Sequence, residues 1–133
     1  MRVLLKSLLA IFLAIASFLP AFAAETRVVP ANRPSAILLY YTATDDTCYG
    51  GGKPDVHVTS GPAHGTITTA WKAFKMGKES GDCAGKSTHG TLVVYRPTPG
   101  YHGPDKVSVV FSGGESAGYF LRPKEFKVNI TVK

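Results

Sequence analysis

The residues that could do chemistry here are four histidines, two cysteines and a glycine run ahead of a lysine. His57, His64, His89 and His102 invite a metal reading. A metal site needs three or four converging ligands, commonly spaced as HxH, HxxxH or CxxC, and none of those spacings occurs. His64, His89 and His102 each precede a glycine, a turn context that histidine tolerates. His57 alternates out of "DVHVTS" between Val56 and Val58, which places it on a solvated face. Ser60-Gly61 and Ser112-Gly113 lack the GxSxG context of a nucleophile elbow. The carboxylates are few and scattered, with no pair suited to glycoside hydrolysis. Gly50-Gly51-Gly52-Lys53 lacks the GxxxxGK[ST] spacing of a phosphate loop, and Pro54 stands where a helix should open. We therefore assign no catalytic residue, no metal ligand and no cofactor.

Cys48 and Cys83 read as a disulfide. The loop they close holds about 35 residues, which the chain-entropy account values at roughly 3–4 kcal/mol. Pairing them leaves no thiol nucleophile. The compartment follows from the other end of the chain. Arg2 and Lys6 precede the apolar run "LLAIFLAIASFLPAF", and small residues at Ala21, Ala23 and Ala24 close it. This is the pattern of a signal peptide over residues 1–24 rather than of a membrane span, so the chain is expected to be exported, to a periplasm or outside the cell. Residues 25–133 then form one domain of 109 residues, large enough for a single core. Loss of Arg2 and Lys6 takes the net charge from +6 to +4. That weakly favours acidic envelope partners, while export and the absence of a sustained basic stripe disfavour nucleic acid.

What positions these residues is a two-residue period. In "EFKVNITVK", Phe126, Val128, Ile130 and Val132 face one way and Lys127, Asn129, Thr131 and Lys133 the other. "DKVSVVF" turns Val107, Val109 and Phe111 inward, and "SAILLYYTA" is apolar on both faces. Further short strands are expected in "TRVVPA", "DVHVTS", "GTITTAW", "GTLVVYRP" and "AGYFLRP", punctuated by glycine and proline, His89-Gly90 among the turn signals. About seven strands in a domain of this size predict an all-β antiparallel sandwich. Alternate lysines on the last strand and Pro30 and Pro34 around the first are devices that discourage edge-to-edge pairing. Asn129-Ile130-Thr131 fits a glycosylation sequon but falls inside a strand.

The segment Trp71–His89, "WKAFKMGKESGDCAGKSTH", breaks the period and reads as a long hairpin tip or a loop with a helical turn. It supplies the candidate contact residues Trp71, Lys72, Phe74, Lys75 and Lys78, aromatics for area and lysines for an anionic rim. Counting by twos from Ile67 through Thr69 also reaches Trp71, so Trp71 either ends a strand in the core or stands exposed.

"SGPAHGTIT", and later "GTLVVYRPTPGYHGPDKVSVVF", resemble the bacterial cadherin-like and immunoglobulin-like domains of tandem-repeat surface proteins. Pro62, His64, Gly65 and Thr66 match a turn-and-strand element of that family. Tyr95, Pro97, Tyr101, Gly103 and Asp105 match its strand end and corner. The resemblance spans Ser60 to Phe111. It implies a Greek-key sandwich used for adhesion, spacing or binding, with the Tyr101 ring tucked under the corner as in the tyrosine corners of such domains. Some relatives bind calcium between repeats. Here Asp45-Asp46 is the only acidic pair, no DxD motif occurs, and the domain stands alone with an insertion in a hairpin that is tight in the family.

The expected function is therefore that of a non-catalytic exported domain, binding a protein or an acidic envelope polymer through disulfide-tethered loops. The alternatives are a structural or assembly subunit and a small metal-binding protein of the periplasm.

Overall fold

The computed structural model describes residues 24–44, 46–116, 119–120 and 122–133. The signal peptide read at 1–24 lies outside them save for Ala24, as does Asp45 of the acidic pair. Among the described residues, no helix is long and apolar enough to cross a membrane.

The chain is built from strands: β1 (Glu25–Val29), β2 (Ser35–Tyr40), β3 (Asp55–Ser60), β4 (Gly65–Lys75), β5 (Ser87–Pro97), β6 (Gly103–Ser112), a two-residue hairpin β7 (Glu115–Ser116) and β8 (Tyr119–Phe120), and β9 (Lys124–Val132). A 3-10 turn, Lys78–Cys83, lies between β4 and β5. Two sheets carry the fold, ordered β1-β9-β6-β3 and β2-β5-β4. Every pairing in them is antiparallel except β1 with β9, which is parallel from Glu25↔Val128 to Val29↔Val132. The last strand is thus covered by the first. Its alternate lysines do not guard a sheet edge, as the sequence pattern suggested, but stand on the solvent face of an interior strand.

The two sheets share one core. β6 contributes Val107, Val109 and Phe111, β9 contributes Val128, Ile130 and Val132, and β5 supplies Val93 and Tyr95, all at most 2% exposed. The inward sets read from β6 and β9 hold, with Phe126 half-buried at the margin. There Tyr40 stacks on Phe111 at 4.3 Å, and Phe126 meets both rings edge-on at 5.7 Å. β2 is not buried on both faces. A bulge between Ala36 and Leu38 turns the adjacent Ile37 and Leu38 both inward, and leaves Leu39 41% exposed. Val58, read as core, is 44% exposed because β3 is the outer strand of its sheet and shifts register just after it.

β4 and β5 pair without interruption from Gly65↔Pro97 to Lys75↔Ser87. The segment that looked irregular is therefore a strand arm tipped by a 3-10 turn. His89-Gly90 lies inside β5 rather than in a turn: Gly90 is buried, and a β-carbon there would meet the Phe74 ring and the Tyr40 carbonyl. A second, smaller core occupies this end, with Cys48, Met76 and Cys83 buried and Tyr41, Ala43 and Phe74 packed around them.

Candidate functional site

Two places gather polar chemistry, and they do different things. The first is the corner where the two motif segments meet. Tyr95 is fully buried, and its hydroxyl donates to Asp105 Oδ2 at 2.8 Å while lying 3.1 Å from the His64 carbonyl oxygen. The Asp105 carboxylate also accepts from the backbone amides of Ala63, His64 and Lys106, each at 2.9 Å. A carboxylate offers about four lone-pair sites, and all are used here. This carboxylate has no capacity left for a metal or a substrate; it clamps the β3–β4 turn to the start of β6. Gly65 completes the unit, since any β-carbon there would overlap the Tyr95 ring.

Tyr101 is not the buried corner residue. Its ring is half-exposed, stacked on His64 at 4.0 Å, and its hydroxyl donates to the Pro104 carbonyl. The interior role expected of Tyr101 belongs to Tyr95, because Tyr95 lies on the inward face of β5 and Tyr101 lies in the turn between strands. Pro97 ends β5 buried, and Gly103 begins β6 with φ at 136°, open backbone that favours glycine. The turn is pinned from outside by Asn32, whose side-chain oxygen accepts from Gly100 N at 2.8 Å.

Burial alone would raise the Asp105 carboxyl, but the Tyr95 hydroxyl and the three amides outweigh it and hold the group below its ordinary value. Burial, aided by the hydrogen bond to Asp105 and its charge, pushes the Tyr95 hydroxyl well above the ordinary tyrosine range. The unfolded chain therefore takes up the Asp105 proton first on acidification and releases the Tyr95 proton first in alkali. Stability from this corner is full between about pH 4 and pH 10, and falls on either side. Urea midpoints across pH 2–11 should show both limbs, with the acid limb shallower in Asp105→Asn; an unchanged acid slope in that variant would remove Asp105 as its source.

The second place is the end held by the disulfide. β2 pairs with β5 only as far as Tyr40↔Thr91, so β5 outruns it from Gly90 back to Ser87. The chain after β2 folds into a loop beside that edge, with Gly50 against Thr88. Cys48 N donates to the Thr44 carbonyl at 2.9 Å, Thr44 N to Tyr49 O at 3.1 Å, and Gly51 N to Thr42 O at 3.1 Å. Cys48 takes a left-handed backbone (φ 55°), a conformation that costs a non-glycine residue about 1 kcal/mol. Its bond to Cys83 joins the loop to the 3-10 turn, with a Cα separation of 5.4 Å. Lys86 Nζ lies 3.5 Å from Cys48 Sγ, and the Tyr41 hydroxyl meets Ser80 Oγ at 3.2 Å.

Between loop and arm lies a cavity of about 470 Å³, walled by Thr47–Lys53 on one side and by Trp71 with Ser87–His89 on the other. Trp71 is half-buried and stacks on His89 at 5.7 Å, near parallel. Gly50 backs directly onto the Thr88 hydroxyl, so that a β-carbon would overlap it.

The five proposed contact residues do not form one patch. Trp71 and Lys75 share one face of β4, Lys72 and Phe74 the other, by the strand's alternation. Lys72, Lys75 and Lys78 are exposed. Phe74 is not available for contact: it packs into the smaller core, edge-on to Tyr41 at 4.9 Å, and Met76 beside it is buried. Sequence reasoning missed Tyr49 and Thr88, and it set aside His89 as a turn histidine and Lys53 with the failed phosphate loop. The glycine run ahead of Lys53 was the visible signal in this segment, and rejecting it as a phosphate loop left it without a role. Among the described residues, no three of His, Cys, Asp and Glu converge as a metal site would require.

No known protein family matches the sequence, and no curated protein does. The fold overlaps that of "Solution Structure of Amebosin" with a TM-score of 0.46 at 12% identity, covering 81% of this chain and 88% of that one.

Proposed function

We propose that the chain is a single exported domain of the cadherin-like, immunoglobulin-like Greek-key type, acting without catalysis as a binding module through its disulfide-tethered end. The strand order, β1-β9-β6-β3 facing β2-β5-β4 with the first strand parallel to the last, supports the fold reading. So does the meeting of the two motif segments at Asp105. The disulfide supports an oxidising compartment. The observation that carries the functional reading is the cavity of about 470 Å³ between two segments that one covalent bond holds in place. That volume lies within the ordinary range of small-molecule sites. The aromatic anchor is Trp71, with the exposed Lys75 on its own face of β4 and the exposed Lys72 and Lys78 elsewhere on the same arm.

The partner is a protein or an acidic component of the envelope. The full exported chain, immobilised, should retain material from an envelope extract. Trp71→Ala and the triple change of Lys72, Lys75 and Lys78 to alanine should each release most of it with the unfolding midpoint unchanged. Protease treatment of the extract separates a protein partner from a polymer. Retention equal to wild type in both variants would remove this end as the contact surface.

Assembly through strand edges is a second reading, favoured by one feature: the outer strand β3 leaves Val58 44% exposed beside an unpaired edge. A concentration-dependent mass in sedimentation, abolished by Val58→Lys, would favour it.

A further inference from the structure

The two sulfurs of the Cys48–Cys83 bond stand in unlike surroundings. Cys48 Sγ accepts a hydrogen bond from the Lys86 ammonium at 3.5 Å. Cys83 Sγ lies instead 3.8 Å from the Thr44 carbonyl oxygen, and Glu79 stands on the wall of a cleft that Cys83 borders. A cation therefore faces one sulfur, and negative oxygen lies near the other. The cleft has a volume of about 210 Å³ and is also lined by Tyr41, Thr44, Met76 and Ser80. Cys48 borders the larger cavity instead. Each cysteine is 5% exposed, but the cluster they form with Met76 is separate from the main core.

Thiol–disulfide exchange has a direction: the sulfur whose thiolate is better stabilised leaves, and the other is attacked. The Lys86 ammonium stabilises a thiolate on Cys48, whereas the Thr44 carbonyl and Glu79 oppose one on Cys83. We propose that the Cys48–Cys83 bond is a thiol-exchange site, attacked at Cys83 Sγ from the smaller cleft, with Cys48 as leaving group and Lys86 as the residue that holds its charge. The incoming thiolate forms a bond to Cys83 Sγ. The Cys48–Cys83 bond breaks, and its electron pair departs on Cys48 Sγ beside the ammonium. A second thiolate of the reductant then attacks the reductant sulfur of the mixed disulfide, which releases the oxidised reductant and frees Cys83. Two electrons pass from the thiols to the protein; Cys83 takes a proton, and the second proton stays in solvent while Cys48 remains a thiolate. The exchange releases Cys48 from its left-handed backbone and unties one wall of the larger cavity. It does so whether or not that cavity takes a ligand.

The test treats the native oxidised chain with 2-mercaptoethanol and quenches with iodoacetamide. Peptide mass spectrometry should place the mercaptoethanol adduct on Cys83 and the alkyl group on Cys48. Lys86→Ala should slow native reduction about threefold, and Lys86→Arg should restore most of the rate. In denaturing urea all three chains should react alike. Oxidised Lys86→Ala should melt with the wild type, so a slower rate there is not a changed fold. Trp71 is the chain's single tryptophan, and its emission should shift as the bond is reduced. An adduct on Cys48, or on both cysteines equally, would overturn the direction of attack. An unchanged or faster rate in Lys86→Ala would overturn the role of Lys86. Reduction only in urea would make the bond a closed brace and overturn the exchange site. Unchanged emission from the fully reduced chain would overturn the release of the cavity wall.

Discussion

Replacing Tyr95 with alanine destabilises the fold by about 4 kcal/mol, whereas Tyr101→Ala costs about 1–2 kcal/mol. The two tyrosines sit six residues apart around the same corner, and their sequence contexts look alike. Their surroundings do not. The Tyr95 ring is wholly enclosed between Gly65 and the common core, so truncation leaves a cavity that a well-packed sheet pair cannot close. Its hydroxyl is also one of four donors to Asp105, and removing it leaves a buried carboxylate short of a partner. Tyr95→Phe isolates that second loss and should cost about 1–3 kcal/mol, with the ring volume kept. Tyr101 loses a stack on His64 and one hydrogen bond at a solvated turn, which water replaces. Urea unfolding of the three variants measures all of this. A Tyr101→Ala penalty as large as that of Tyr95→Ala would mean that the corner is held from its outer side, and the clamp described for Asp105 would be secondary.

The legible part of this fold is the part that obeys a strict two-residue period. β6 and β9 could be read face by face because each alternates cleanly and lies inside its sheet, with one side always covered. β2 and β3 were misread where alternation and coverage part company. The bulge before Leu38 adds a residue that the pattern does not announce. β3 has the pattern of a core strand but lacks a neighbour on its outer side. The β4–β5 arm defeated the pattern for another reason. Past Thr91 the arm leaves the main core, so its apolar residues no longer answer to one interior: Phe74 serves the small disulfide core and Trp71 the cavity. The disulfide itself was readable from the even cysteine count. That it places the glycine run against β5, and so encloses a cavity, depends on where β2 stops, and nothing local in the sequence encodes that.

Breaking the disulfide should therefore cost the protein this cavity before it costs the protein its fold. The bond closes a 35-residue separation, and its loss from the unfolded-state constraint is worth roughly 3–4 kcal/mol. The loss is not spread evenly. The main core, from Val93 and Tyr95 through Val107, Phe111 and Ile130, shares no buried residue with the small cluster of Cys48, Met76 and Cys83. Cys48 holds a left-handed backbone in a loop tied by its covalent partner and by local hydrogen bonds. In a Cys48→Ala, Cys83→Ala chain, hydrogen exchange should accelerate most in the loop that carries Cys48 and in the 3-10 turn, while the amides of β6 and β9 accelerate only in proportion to the global change. The urea midpoint should fall with the slope of the transition nearly kept, because the sheets still unfold as one unit. Trp71 emission should move toward that of solvated indole even in the absence of denaturant, since the opposite wall of its cavity has been released. Uniform acceleration of exchange across both sheets would show instead that the two cores are one cooperative unit, and the disulfide would then be a brace for the whole sandwich rather than the frame of its binding end.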